Sequence, residues 1–243
     1  MSFPYKSALV LGATSGIGLE IAHRLVSQGV FTIVFETAAS FVDTVTKNHP
    51  GLQALFLNAG VQHVMDVSKP HTVEISKLSE EININYLGVV NIFNAFLPFF
   101  QKKPASEKSA VIVTTTSLET VPYPMVFGYS ASKAATRSWI LSAREQLKAA
   151  GGHKINLIEL YTPIVQTELH DKQPGWGPGR ETGMPVKDFV TAAFEGFAAE
   201  KETVAVGEPQ KAMFEEFEQK RNERTGPFWD MVKKHNPGIH QLD

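Results

Sequence analysis

The chain has 243 residues, with 23 Lys+Arg against 25 Asp+Glu, a formal net charge of −2, 43% hydrophobic residues and no cysteine. That length suits one α/β domain with a full core, and the composition is that of a folded protein, which excludes a disordered chain. The near-neutral charge offers no field for phosphate backbones, so no nucleic acid partner is expected, and without cysteine there is no disulfide, thiolate metal site or catalytic thiol.

The start, MSFPYKSALVLGATSGIG, has one short apolar run that leads straight into glycines, unlike a secretory leader. Residues 7–11 read as a buried strand ending at Gly12. Ile17, Ile21, Leu25 and Val26 then recur at helical spacing over 17–27, and the β-branched and aromatic run 31–35 reads as a second strand. A short helix at 41–47 stops at Asn48-His49-Pro50-Gly51, and the apolar run 52–57 forms a third strand before Asn58-Ala59-Gly60. A long apolar helix is predicted over 79–100, a strand over 110–115, and a helix over 129–149 closed by Gly151-Gly152. Beyond a strand at 155–160 lie a Gly- and Pro-rich loop at 171–185, a helix at 186–199, a strand at 203–206 and a charged helix at 209–224. The apolar stretches 52–57 and 92–100 are too short or interrupted to span a bilayer, so the expectation is a cytoplasmic protein with no membrane partner.

Strands that alternate with helices and read as continuous apolar runs predict an α/β fold with a mainly parallel sheet covered on both faces. On such a sheet the chemistry belongs at the carboxyl ends of the strands. There the turn Gly12-Ala13-Thr14-Ser15-Gly16-Ile17-Gly18 joins the first strand to the first helix, where glycines admit a diphosphate to the free N–H groups of a helix N-terminus. Glu36 closes the second strand, 18 residues after Gly18, where a carboxylate accepts hydrogen bonds from ribose hydroxyls and repels a 2′-phosphate. Tyr129 and Lys133 stand one helical turn apart on one face. An ammonium so placed favours the phenolate, which predicts a phenol usable as acid or base near neutrality. Ser117 follows the fourth strand and can bond a carbonyl oxygen, while Asn85 in the preceding helix can hold a water that connects Lys133 to solvent.

With these residues in this order, the chain resembles the short-chain dehydrogenase/reductase family, and its late segments resemble the DltE-like branch. The likeness runs from about Ala8 to Val206 and is carried by Gly12-x3-Gly16-Ile17-Gly18, Asn58-Ala59-Gly60, Asn85, Ser117, Tyr129-x3-Lys133 and Thr162-Pro163-Ile164-Val165-Gln166-Thr167. It implies a single Rossmann-like three-layer domain over 1–243, with a dinucleotide-binding part at 1–60, a catalytic part at 79–167, and a substrate loop and C-terminal extension at 168–243. It implies an oxidoreductase that moves a hydride between NAD or NADP and an alcohol or carbonyl substrate, with Glu36 tilting the choice toward NAD. Tyr129 would be the general acid/base, Lys133 would bind the nicotinamide ribose, Ser117 would orient the substrate carbonyl, and Asn85 would complete the proton relay. Gly12, Ser15, Gly16, Ile17, Gly18, Asn58, Gly60 and Thr167 would line the cofactor. A homo-oligomer is implied by resemblance alone, and no metal is expected.

Departures from the family pattern are Leu11 in place of Thr, Thr114 in place of Asn, and Thr162-Pro163 in place of Pro-Gly. Ser117 lies 12 positions before Tyr129, one fewer than usual, while Thr116 lies at 13 and also carries a hydroxyl; gap-free alignment of the run 111–117 favours Ser117. Asn58 follows Gly18 by only 40 residues, so one strand–helix unit fits where the family has two. A six-stranded sheet with strand order 2-1-3-4-5-6 follows, with a shortened adenosine side. That shortening is the ground for an alternative: a cofactor-poor or non-redox protein of the same fold. His63, Asp66 and His71 match no compact metal-ligand spacing, and the phenylalanines at 93, 96, 99 and 100 read as helix core or subunit interface. Trp176 and Trp229 lie in the loop and tail, as substrate covers or packing anchors.

Overall fold

A computed structural model describes residues 2–35, 41–151, 154–171 and 178–236. Glu36 and Trp176 lie outside the described residues. The six strands are β1 (Ser7–Leu11), β2 (Phe31–Phe35), β3 (Ala54–Leu57), β4 (Ser109–Thr116), β5 (Ile155–Thr162) and β6 (Thr203–Ala205). They form one parallel sheet in the order β2-β1-β3-β4-β5-β6, as the sequence pattern predicts. Among the described residues, only β2 and the helix α2 (Phe41–Asn48) stand between α1 (Gly16–Ser27) and β3, in keeping with the shortened N-terminal half.

Side chains alternate across each strand, and this splits the continuous apolar runs into two cores. Val10, Phe56, Ile112 and Leu160 face one side, where they pack on Ile21 and Leu25 of α1 and on Phe189, Phe194 and Phe197 of α6 (Val186–Ala198). Leu9, Leu55, Leu57, Val111 and Val113 face the other side, against Val45 of α2, Phe93, Phe96 and Phe100 of α4 (Gly88–Gln101), and Ile140 of α5 (Phe127–Ala150). Each such fully buried side chain contributes about 1.5–3 kcal/mol to the folded state. The phenylalanine cluster of α4 therefore belongs to this chain's own core.

The helix predicted over 79–100 starts earlier. α3 (Ile75–Ile82) opens it, a π turn follows at Asn83–Leu87, and α4 completes it. Ile75, Leu78 and Ile82 carry the helical period, masked in sequence by the charged residues among them. The 27-residue run Ile75–Gln101 is long and apolar enough to cross a membrane by length and composition, contrary to the sequence estimate. In this fold it lies against the sheet, with Val89, Phe93, Phe96 and Phe100 buried. The charged helix predicted at 209–224 is instead α7 (Glu208–Met213), a π turn at Phe214–Glu218, and α8 (Gln219–His235). α8 runs through Pro227, whose missing N–H removes a single backbone bond.

Candidate active site

A cavity of about 510 Å³ opens at the carboxyl ends of β1, β3, β4 and β5. Its walls bring together Gly12, Ser15, Gly16 and Ile17 from the first turn, Asn58 and Gly60 from the loop after β3, Thr114 and Thr116 of β4, Tyr129 and Lys133 of α5, and Thr167. These elements meet because parallel strands present all their carboxyl ends on one edge.

The glycine turn is built for close approach. Gly16 has φ +54°, a left-handed conformation that L side chains rarely adopt. Gly18 faces inward: a Cβ there would stand 2.2 Å from the Gly12 carbonyl oxygen. Ser15 precedes α1 without capping it through its side chain, and the first turn of α1 holds no acidic residue. These free N–H groups and the positive end of the helix dipole fit a cofactor diphosphate. Asn58 anchors the turn from behind, donating to the Gly12 carbonyl at 3.2 Å while it accepts from the Thr114 hydroxyl at 3.0 Å. Thr114, in the position of a family asparagine, thus ties β4 to the glycine turn. Thr167 closes this side, its methyl 3.1 Å from where a Gly16 Cβ would lie.

Tyr129 is buried in the first turn of α5, with the Lys133 ammonium 5.8 Å from its ring centre. Lys133 donates to the Thr114 carbonyl at 2.8 Å, which fixes its position. Burial pushes the lysine down to about 8, partly opposed by the charge of Glu119. The tyrosine moves the other way from the sequence expectation. Burial, and then Glu119 and Glu81 nearby, raise it above its ordinary value. Desolvation of an anion outweighs one ammonium when two carboxyls lie close by. The phenol therefore holds its proton at neutral pH.

Asn85 sits in the π turn and is fully buried. Its side chain exchanges two 2.9 Å hydrogen bonds with the main chain of Val61 and donates a third of the same length to the Ser132 hydroxyl. Its carbonyl accepts from Thr136 at 2.8 Å. Asn85 thus joins the Gly60–Val61 loop to α5, and a Cβ on Gly60 would come within 3.3 Å of its Oδ1 and 3.7 Å of Lys133 Nζ.

Of the two candidate hydroxyls, Thr116 lies in the cavity wall, while Ser117 is buried outside it and begins a short 3₁₀ turn, Ser117–Glu119. The pleat explains this. Thr114 and Thr116 point to one face of β4, whereas the Thr115 hydroxyl reaches Glu159 on the other at 2.9 Å. Sequence reasoning missed Gln62 and His170, both buried in the cavity wall with 3.5 Å between Gln62 Nε2 and His170 Nδ1. Burial lowers the pKa of His170, favouring the neutral ring. Neither residue belongs to a spaced motif, and burial of a lone polar residue leaves no periodic signal. Elsewhere His63 pairs with Glu80 at 2.9 Å, and no three His, Asp or Glu side chains gather to hold a metal among the described residues.

Comparison with known proteins agrees with this geometry. The model of the short chain dehydrogenase family matches residues 35–176. An uncharacterized oxidoreductase, DltE, from Bacillus subtilis (strain 168) is 25% identical over 84% of this chain and 89% of its own length. The NADPH-dependent 3-dehydrocapnine reductase of Ornithobacterium rhinotracheale is 24% identical over 86% of this chain and 90% of its own length. Among solved structures, a short chain dehydrogenase/reductase from Burkholderia phymatum in complex with NAD superposes with a TM-score of 0.71 at 19% identity, covering 84% of this chain and 89% of that one. A short chain dehydrogenase from Burkholderia cenocepacia J2315 in complex with NADP gives 0.72 at 21% identity, covering 88% and 93%. Glycine turn, buried Tyr129–Lys133 pair and family match converge: the chain belongs to the short chain dehydrogenase family.

Proposed function

We propose that Tyr129, Lys133 and Thr116 carry the proton side of a hydride transfer, with Asn85 holding the adjoining loop in place. The chain is an NAD(P)-dependent oxidoreductase acting on a small alcohol or carbonyl compound. When bound, the nicotinamide cofactor supplies or accepts the hydride. The single observation that carries the reading is the cavity whose lining includes Tyr129, Lys133, Thr116 and the glycine turn.

In this reading the Thr116 hydroxyl donates a hydrogen bond to the substrate oxygen and holds it beside Tyr129. As negative charge builds on that oxygen, the Tyr129 phenol releases its proton to it. A phenol that holds its proton has one to give in reduction, and the phenolate left takes it back in oxidation. Lys133 stabilises the phenolate left behind and is available to the nicotinamide ribose. Asn85 keeps the Gly60–Val61 loop at the correct distance from α5. Gly12, Ser15, Gly16, Ile17, Gly18, Asn58, Gly60 and Thr167 would hold the cofactor, and the sequence position of Glu36 supports NAD over NADP. By family resemblance we read the protein as one cytoplasmic Rossmann-like domain that forms a homo-oligomer.

The choice of hydroxyl separates cleanly in a reductase assay with a carbonyl panel and NADH or NADPH. Thr116→Val should lower kcat by about 100-fold, the cost of one transition-state hydrogen bond, whereas Ser117→Ala should stay within about threefold. The reverse ranking would return the role to Ser117.

A further inference from the structure

The described residues past β6 line no part of the cavity, yet they include a carboxylate bonded to two elements that border it. Glu218 ends the π turn Phe214–Glu218 and is buried, 4% exposed. One of its oxygens accepts from Arg137 Nε at 3.1 Å and the other from the Thr120 hydroxyl at 3.2 Å. Arg137 lies one turn beyond Lys133 on α5, so Tyr129, Lys133 and Arg137 form a single stripe along that helix. Thr120 lies four residues beyond Thr116, at the end of the turn that leaves β4. A single carboxylate therefore grips both the helix that carries the phenol and ammonium and the turn that follows the cavity hydroxyl.

The surroundings make this grip stiff. The Arg137 guanidinium is fully buried and also donates to Glu159 of β5 and Asn222 of α8. It stacks 5.7 Å over the Phe214 ring, which in turn lies 5.9 Å from the ring of Tyr161. The Tyr161 hydroxyl completes the circuit with Thr120 at 2.9 Å. Glu119 Oε1 stands 3.9 Å from Arg137 Nε, and Arg221 lies 3.6 Å from Glu218 at the exposed rim. Buried charge-assisted hydrogen bonds of this kind are strong and directional, and removing one partner leaves the other charge uncompensated.

We propose that Glu218 is a positioning residue: its two oxygens set the distance between the Tyr129–Lys133 face of α5 and the turn that follows Thr116. The proposal rests on the reading of Thr116 and Tyr129 as partners in proton transfer. The segment past β6 is then part of the machinery that aligns the site, although its described residues line none of the cavity.

The test compares Glu218→Gln, Thr120→Val, Thr120→Ser and the control Glu208→Gln, whose exposed partner is Lys211, in the full-length chain by amide hydrogen exchange. Glu218→Gln and Thr120→Val should speed exchange by about tenfold at residues 116–121 and in the first turns of α5, with β1 and α1 unchanged. Thr120→Ser, which keeps the hydroxyl, should restore protection, and Glu208→Gln should match the wild type. Faster exchange confined to residues 208–235 would reduce Glu218 to an anchor of its own helix and overturn the proposal. If Glu218→Gln loosens the whole molecule, the Thr120 pair decides by the same criterion. With a carbonyl that the wild type reduces, Thr120→Val should lower kcat about 10–100-fold with the cofactor KM within about twofold, since small misplacements of reacting groups cost that much. An unchanged kcat would also overturn it. If the wild type reduces no carbonyl at all, the catalytic reading fails, and exchange alone judges whether Glu218 fixes this geometry.

Discussion

Two acids lie near the Tyr129 phenol, and the charge of each raises its pKa. Glu119 is fully buried, and neither oxygen has a hydrogen-bond partner within the described structure. Burial first, and then the charge of Glu159, push it well above the ordinary carboxyl value of 4.5. Glu119 holds its proton to a higher pH in the folded protein than in the unfolded chain. Stability from this group is thus full below about pH 4.5 and is lost as pH rises toward its folded pKa. Glu119→Gln, which imitates the neutral form, should match the wild-type melting temperature near pH 4 and exceed it increasingly toward pH 8. A constant offset across that range would mean that Glu119 is ionised in the fold. The Tyr129–Lys133 spacing was legible in the sequence. The direction of the tyrosine shift was not, because it depends on acids 10 and 48 residues away in the chain.

At the scale of elements, the strand ends explain why the site was readable. Gly12, Asn58, Thr116 and Thr162 all stand at or just beyond the carboxyl ends of their strands, where a parallel sheet gathers them. The structure places Thr116 rather than Ser117 in the cavity wall for a local reason. Alignment counts residues, whereas the pleat sends every second side chain to the same face, so Thr116 follows Thr114 into the cavity. The π turns at Asn83–Leu87 and Phe214–Glu218 were also hidden, since one extra residue in a helix leaves no compositional mark. The glycine turn itself carries a steric prediction. Gly18→Ala sets a methyl 2.2 Å from the Gly12 carbonyl oxygen and 2.8 Å from Asn58 Nδ2, neither of which can yield without moving the turn. Stability should fall by about 1–3 kcal/mol, the usual range for overpacking, and cofactor affinity should fall at least about tenfold. Calorimetric melting and a cofactor titration check the two effects; an unchanged affinity would remove the turn from the cofactor site.

For the whole molecule, the order of strand and helix fixed the sheet, including its strand order and its missing unit. Long-range pairs did not show in the sequence: Arg137 meets Glu159 and Glu218 across 22 and 81 residues, and no spacing rule links them. The length looked ordinary because the extension past β6 offsets a short N-terminal half, and that extension returns to bond α5 through Arg137. The central claim is that this shortened fold still binds a dinucleotide and uses Tyr129 on its substrate. Titration of the wild type and of Tyr129→Phe with NADH and NADPH, followed by nicotinamide fluorescence, tests it most directly. Saturable binding by both proteins, with carbonyl reduction retained only by the wild type, is the predicted result. No saturable binding of either cofactor up to millimolar concentration, or full turnover by Tyr129→Phe, would contradict it.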